Sequence, residues 1–68
     1  MGSVARVTEI SARSTESFED AIRIGVARAT ESLRNVQSAW VKEQSVTVDG
    51  SAISRFQVNL LVTFELED

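Results

Sequence analysis

The sequence predicts an α+β domain of order β-α-β-β, in which a three-stranded antiparallel sheet wraps around one long helix. Three observations carry that prediction. Phe18, Ile22, Val26, Ala29 and Leu33 recur at three- and four-residue steps, which is the apolar stripe of an amphipathic helix. Ala52 to Leu66 alternates with a period of two, as a strand with one buried face does. Between two strand-like runs stands Asp49-Gly50, a hairpin signal because Gly tolerates the positive φ that tight turns require.

The first element is Val4 to Ile10, a run rich in β-branched residues that reads as a strand. Its alternation is imperfect, so the inward-facing side chains are not assigned. Ser14 is expected as the helix N-cap, with Glu16 in the first turn, where negative charge suits the helix dipole. Ala21 and Gly25 flank the apolar stripe, and Glu19 and Arg23 are spaced as an i,i+4 pair. Gly25 costs about 1 kcal/mol relative to Ala inside a helix, so its expected return is the close approach of a neighbouring backbone. The helix is expected to end near Arg34 or Asn35, after about twenty residues.

Ser38 to Val48 and Ala52 to Leu66 are the paired strands that follow. In the last one, Phe56, Val58, Leu60, Val62, Phe64 and Leu66 share one face with Ala52 and Ser54 and pack on the helix. Ile53, Arg55, Gln57, Asn59, Leu61, Thr63 and Glu65 occupy the other face. On the middle strand Ala39 and Val41 are expected to face the helix, which turns Trp40 to the second face beside Gln57. A single helix covers one side of such a sheet. The side with Trp40, Gln57 and Leu61 is left to water or to another subunit.

Composition narrows the function. The 68 residues make one domain, 1–68, without Cys or His, so disulfides and the common zinc sites are unavailable to stabilise a small core and oligomerisation is expected instead. Seven Lys+Arg against ten Asp+Glu give a net charge of −3, which argues against nucleic-acid binding, since that needs a basic footprint. No apolar run is long enough to span a bilayer, and no secretory signal opens the chain. A soluble, cytoplasmic protein is expected.

Catalytic constellations are thin. Without His or Cys the usual triads and thiol nucleophiles cannot form, and the three glycines at 2, 25 and 50 build no phosphate-cradling loop. The chain is not expected to be an enzyme. Glu16, Glu19 and Asp20 read as dipole compensation on a solvated face. Glu65, Glu67 and Asp68 at the end read as a solvated acidic tail or as ligands for a hard cation such as calcium; no metal ligand is assigned. Trp40 has two readings: an anchor in a core or interface, or a stacking platform for a planar ligand. On the second reading the Gln57 amide is placed to meet the ligand's hydrogen-bonding edge.

Ser14-Thr15-Glu16-Ser17-Phe18, Ala27-Arg28-Ala29, Asn35-Val36, Val41 with Glu43-Gln44, and Phe56-Gln57-Val58 through Val62-Thr63-Phe64-Glu65-Leu66-Glu67-Asp68 stand in an ordered set. In that set, and over essentially its whole length, the chain resembles the dodecins. The resemblance implies a hollow homododecamer of cubic symmetry that binds flavins such as riboflavin or FMN, often as stacked pairs between symmetry-related Trp rings. The role it implies is storage or sequestration, not turnover. It also implies that Gln57 hydrogen-bonds the isoalloxazine edge. An ungapped match places Ser38, not Trp40, at the stacking position of the family. Trp40 is thus displaced by two residues, on the same strand face but about 6.5–7 Å along it. In this the chain resembles the dodecin branch that lacks the flavin Trp, for which calcium binding has been proposed. The alternative to a flavin store is therefore a shell with a structural or cation-binding role.

Overall fold

Local sequence periods and one tight turn generate the architecture of the computed structural model, which describes residues 2–66. Its elements are β1 (Ala5–Ser14), α1 (Phe18–Ser32), β2 (Val36–Asp49) and β3 (Ala52–Glu65). The strands form one antiparallel sheet in the order β1-β3-β2. The strand with the clearest alternation thus takes the central position, where it is paired on both edges.

The β-α-β-β order agrees with the sequence reading, and so does the centre of the helix-facing set; Ala52 and Ser54, at the hairpin end past the helix, and Leu66, beyond the end of β3, are exposed instead of packing on it. Val58, Leu60 and Val62 of β3 are buried together with Ala12 of β1 and Ala21 and Ala29 of α1. Ile10, Phe18, Ile22, Val26, Leu33, Val36 and Ala39 pack around them. Phe18 meets Phe56 edge-on, with ring centroids 5.2 Å apart, and so ties the start of the helix to the central strand. Gly50 turns the hairpin with φ +66°.

Boundaries are where structure and sequence part. β1 runs four residues beyond Ile10, to Ser14, which pairs with Phe56. Its inward residues there are Ala12 and Ser14, small groups without strand propensity, so the extension comes from pairing with β3. Ser14 consequently is not the N-cap. Ser17 is: its backbone is extended and its hydroxyl accepts from the Asp20 N–H at 2.9 Å. Ser14 instead braces the turn, accepting from the Glu16 N–H (2.9 Å) and donating to Asp20 Oδ2 (2.6 Å). Arg23 pairs with Asp20, one position nearer than the expected Glu19.

The helix is also shorter than expected, 15 residues against about twenty. It stops because Leu33 turns to an extended backbone while its N–H still bonds the Ala29 carbonyl. Asn35 then adopts φ 58°, a left-handed conformation that Asn tolerates better than most residues. This aims Val36 at its partner Phe64 on β3.

β2 carries irregularities between Val36 and Ser38, Val41 and Glu43, and Thr47 and Val48. Ala39 and Val41 stand opposite Val62 and Leu60 on the helix side, as expected. Val41 stays exposed, however, because α1 lies closer to β1 and β3 than to β2. Lys42 is the extra residue of the second irregularity. Plain alternation would put Glu43 on the helix side; the bulge turns it to the other face, opposite Asn59.

Candidate functional site

Directly opposed residues of an antiparallel pair lie on the same face, so the register defines the uncovered side of the sheet row by row. Val7, Thr63 and Ser38 form one row, followed by Glu9, Leu61 and Trp40. Next come Ser11, Asn59 and Glu43, and then Arg13, Gln57 and Ser45. Ser38, Trp40 and Gln57, the residues singled out in the sequence, all fall on this face.

They are not immediate neighbours. Trp40 stands beside Leu61 and is half exposed, with 49% of its surface accessible. Gln57 lies four residues away along β3, about 13 Å at the usual rise per residue. Ser38 is one row beyond Trp40, on the side away from Gln57. Asn59 occupies the gap between Trp40 and Gln57. In the sequence it belongs to the alternating set whose centre, Gln57, Asn59 and Leu61, suits an interface, but it is not among the expected ligand-binding residues.

Polar side chains on this face are linked across all three strands. Arg13 Nε donates to Gln57 Oε1 at 3.0 Å, and Gln57 Nε2 donates to Asn59 Oδ1 at 3.3 Å. Asn59 Oδ1 also accepts from Ser11 Oγ (2.7 Å), while Asn59 Nδ2 donates to Glu43 Oε1 (2.9 Å). One row further, Lys42 Nζ reaches Glu9 Oε1 at 3.2 Å. The face therefore carries an indole and a leucine at one end and a wired array of amides at the other. Arg13 and Glu43 escaped sequence reasoning: Arg13 lies beyond the expected end of the first strand, and Glu43 reaches the face through a bulge.

This surface is open within one copy. A concavity of about 730 Å³ lies elsewhere, between α1 and the outer edge of β1, lined by Ile10, Ala12, Ile24, Gly25 and Arg28 among others; neither Trp40 nor Gln57 lines it. Among the described residues no group of three metal-ligating side chains gathers. Of the acidic tail, Glu67 and Asp68 lie outside the described residues.

The dodecin family model matches residues 4–67. The chain belongs to the dodecin family. The dodecin of Thermus thermophilus is 37% identical over 68 residues, spanning 100% of this chain and 99% of the relative. Among solved structures, the dodecin from Streptomyces davaonensis superposes with a TM-score of 0.93 at 32% identity, covering 100% of both chains. A calcium-chelating immunodominant antigen from Mycobacterium tuberculosis, a calcium dodecin described as having a novel calcium-binding site, superposes with a TM-score of 0.83 at 32% identity, covering 96% of this chain and 93% of that one. The dodecin fold thus agrees with the β-α-β-β order in every element, and no helix among the described residues is long and apolar enough to cross a membrane.

Proposed function

We propose that this dodecin-family chain is the subunit of a homododecameric binding protein that stores or sequesters flavin, riboflavin or FMN, in the cytoplasm. Trp40 stacks on the isoalloxazine ring and Gln57 hydrogen-bonds its edge. Ser38, with its small side chain one row beyond Trp40, leaves room for the ring. The observation that carries this reading is the open sheet face on which a half-exposed indole and an amide array lie side by side without a helix above them. A face that is open in one copy becomes a pocket when a second copy covers it. The spacing of Trp40 and Gln57, about 13 Å, suits a site in which two copies contribute different groups to one ligand. Val48 and Ile53, exposed on the part of the hairpin that runs past β1, and Val46, exposed in the last row that β1 reaches, favour association as well.

The visible spectrum of the purified protein, taken with its native mass, tests this. A flavin spectrum, or quenching of added riboflavin fluorescence by a particle of twelve subunits, is expected. Absence of quenching at micromolar protein sinks the flavin reading.

A second reading rests on the likeness to the calcium dodecin of Mycobacterium tuberculosis. In it the chain forms a similar shell, Trp40 anchors an interface, and carboxylates hold calcium. Parallel calorimetric titrations with calcium and with riboflavin separate the two readings.

A further inference from the structure

The hairpin of β2 and β3 outruns the rest of the molecule. β1 ends at Ser14, in the row that also holds Phe56 and Val46, and α1 begins only at Phe18. Past that row the hairpin continues as a two-stranded arm, about 13 Å from Val46 to Gly50 at the usual rise per residue. Val48 and Ile53 oppose each other on the arm and so share a face; they are 62% and 54% exposed. The radius of gyration is 14.1 Å and the long axis 53 Å, against a radius of roughly 11 Å for a compact chain of this length. A two-stranded hairpin is marginal in water by itself, so an arm with an apolar face needs a surface to lie on.

A fitting surface is the concavity between α1 and the outer edge of β1. Ile10, Ala12, Gly25 and Leu33 give it an apolar lining, and Ile24 on its wall is 46% exposed. Its helical wall runs from Ile24 to Leu33, about 13 Å at the rise of an α-helix, which is the length of the arm. Arg28 and Arg55 also line it, and among the described residues neither is ion-paired. The one acid between Thr47 and Ser54 is Asp49, exposed at the tip of the arm. Arm and groove thus match in length, in apolar content and in charge. The arm does not reach the groove of its own copy. Pairing out to Asp49 and Ala52 holds it in line with the sheet, pointing away from the stretch of β1 that the groove follows.

We infer that the arm of one copy lies in the α1–β1 groove of the next, with Val48 and Ile53 against Ile24 and Asp49 beside Arg28. The two surfaces are different, so the contact runs head to tail. Each copy gives its arm to one neighbour and its groove to another, and in a finite particle such contacts close into rings. This contact is separate from any made by the open face with Trp40. The inference rests on the proposed self-association and names the surfaces that carry part of it.

The chain contains no Cys, so single cysteines introduced on the two surfaces provide a clean test. Isotopically labelled Val48→Cys and unlabelled Ile24→Cys chains are refolded together and treated with a short bis-maleimide; both positions are exposed within one copy, so the fold is retained. Mass spectrometry should find mixed pairs that link position 48 of one chain to position 24 of the other. Pairs linked only through position 48 of both chains, or no pairs in a protein with the native mass of an assembly, overturn the inference. The charges are tested separately. Asp49→Arg and Arg28→Asp should each weaken assembly by about tenfold or more, read as native mass on dilution, and the two together in one chain should restore most of it. A double variant as weak as the single ones overturns the pairing of Asp49 with Arg28. If the unaltered protein is monomeric, the self-association reading falls together with this contact; if it is assembled but unlinked, only the contact falls.

Discussion

Gly25 lies so close to Leu60 that a Cβ built on it would stand 2.8 Å from Leu60 Cδ1, and 3.0 Å from the Cβ of Ala12. What approaches this glycine is not the neighbouring backbone that the sequence suggests but side chains, of Leu60 at the buried centre of β3 and of Ala12 near the end of β1. Gly25→Ala gains about 1 kcal/mol of helix propensity and loses about 1–3 kcal/mol to overpacking, because Leu60 is 1% exposed and its side chain must shift within the core to make room. A net destabilisation of up to about 2 kcal/mol is expected by denaturant unfolding. In a Leu60→Val background, which removes the nearest carbon, the same step should cost less; an equal penalty in both backgrounds would rule out Leu60 as the obstacle.

Ser17→Ala removes the hydroxyl that accepts from the Asp20 N–H. The expected loss is about 1 kcal/mol, with Ser17→Gly losing only a few tenths. Chemical denaturation followed by circular dichroism checks the ranking.

Acid stability should depend on Asp20. Its pKa is held below the usual carboxylate value, first by the hydrogen bond from Ser14, with partial burial opposing and Arg23 adding to the depression. A carboxyl lowered in the folded state stabilises fully above its unfolded pKa, about 3.9. That contribution is lost as pH falls from there through the folded value. Asp20→Asn should therefore show a smaller drop in unfolding midpoint between neutral pH and about pH 3 than the unaltered protein. Ser14→Ala should shrink the drop in the same direction. Identical acid profiles for all three would exclude this linkage.

Asn35 holds φ 58° where the chain leaves the helix for β2, and its carbonyl accepts from the Glu65 N–H at 3.0 Å. Asn35→Ala should cost about 1–2 kcal/mol, because Cβ is crowded in this region. Asn35→Gly keeps the backbone conformation freely and should lie between the two in a denaturant series.

Trp40→Ala should lower riboflavin affinity by about tenfold or more, the scale of losing an aromatic stacking partner. Far-ultraviolet circular dichroism should be unchanged, since the ring lies on the open face. Adding Ser38→Trp to that variant restores a ring one row away, at the stacking position implied by the dodecin resemblance, and should recover quenching. Unchanged affinity in Trp40→Ala would remove Trp40 from the site.

Much of this fold is legible because its signals are local. The 3.6-residue stripe from Phe18 to Leu33 and the period of two from Phe56 to Phe64 are each complete within one element, and Asp49-Gly50 turns the hairpin on its own chemistry. The same periods placed Trp40 and Gln57 on one face. The end of β1 was not legible, because Ala12 and Ser14 are strand residues only through their pairing with Val58 and Phe56. The N-cap moved to Ser17 as a result.

By itself, then, the sequence determined the β-α-β-β order, the centre of the helix-facing set and the uncovered face with Trp40 and Gln57, since each follows from side-chain period and turn chemistry within a short segment. Only the tertiary structure decided the central place of β3, the 15-residue helix, the bulge that turns Glu43 towards Asn59, and the bonds running from Arg13 to Glu43. These depend on pairing between residues up to 60 positions apart, such as Ala5 and Glu65, and the period within one strand does not say which row of a distant strand it meets.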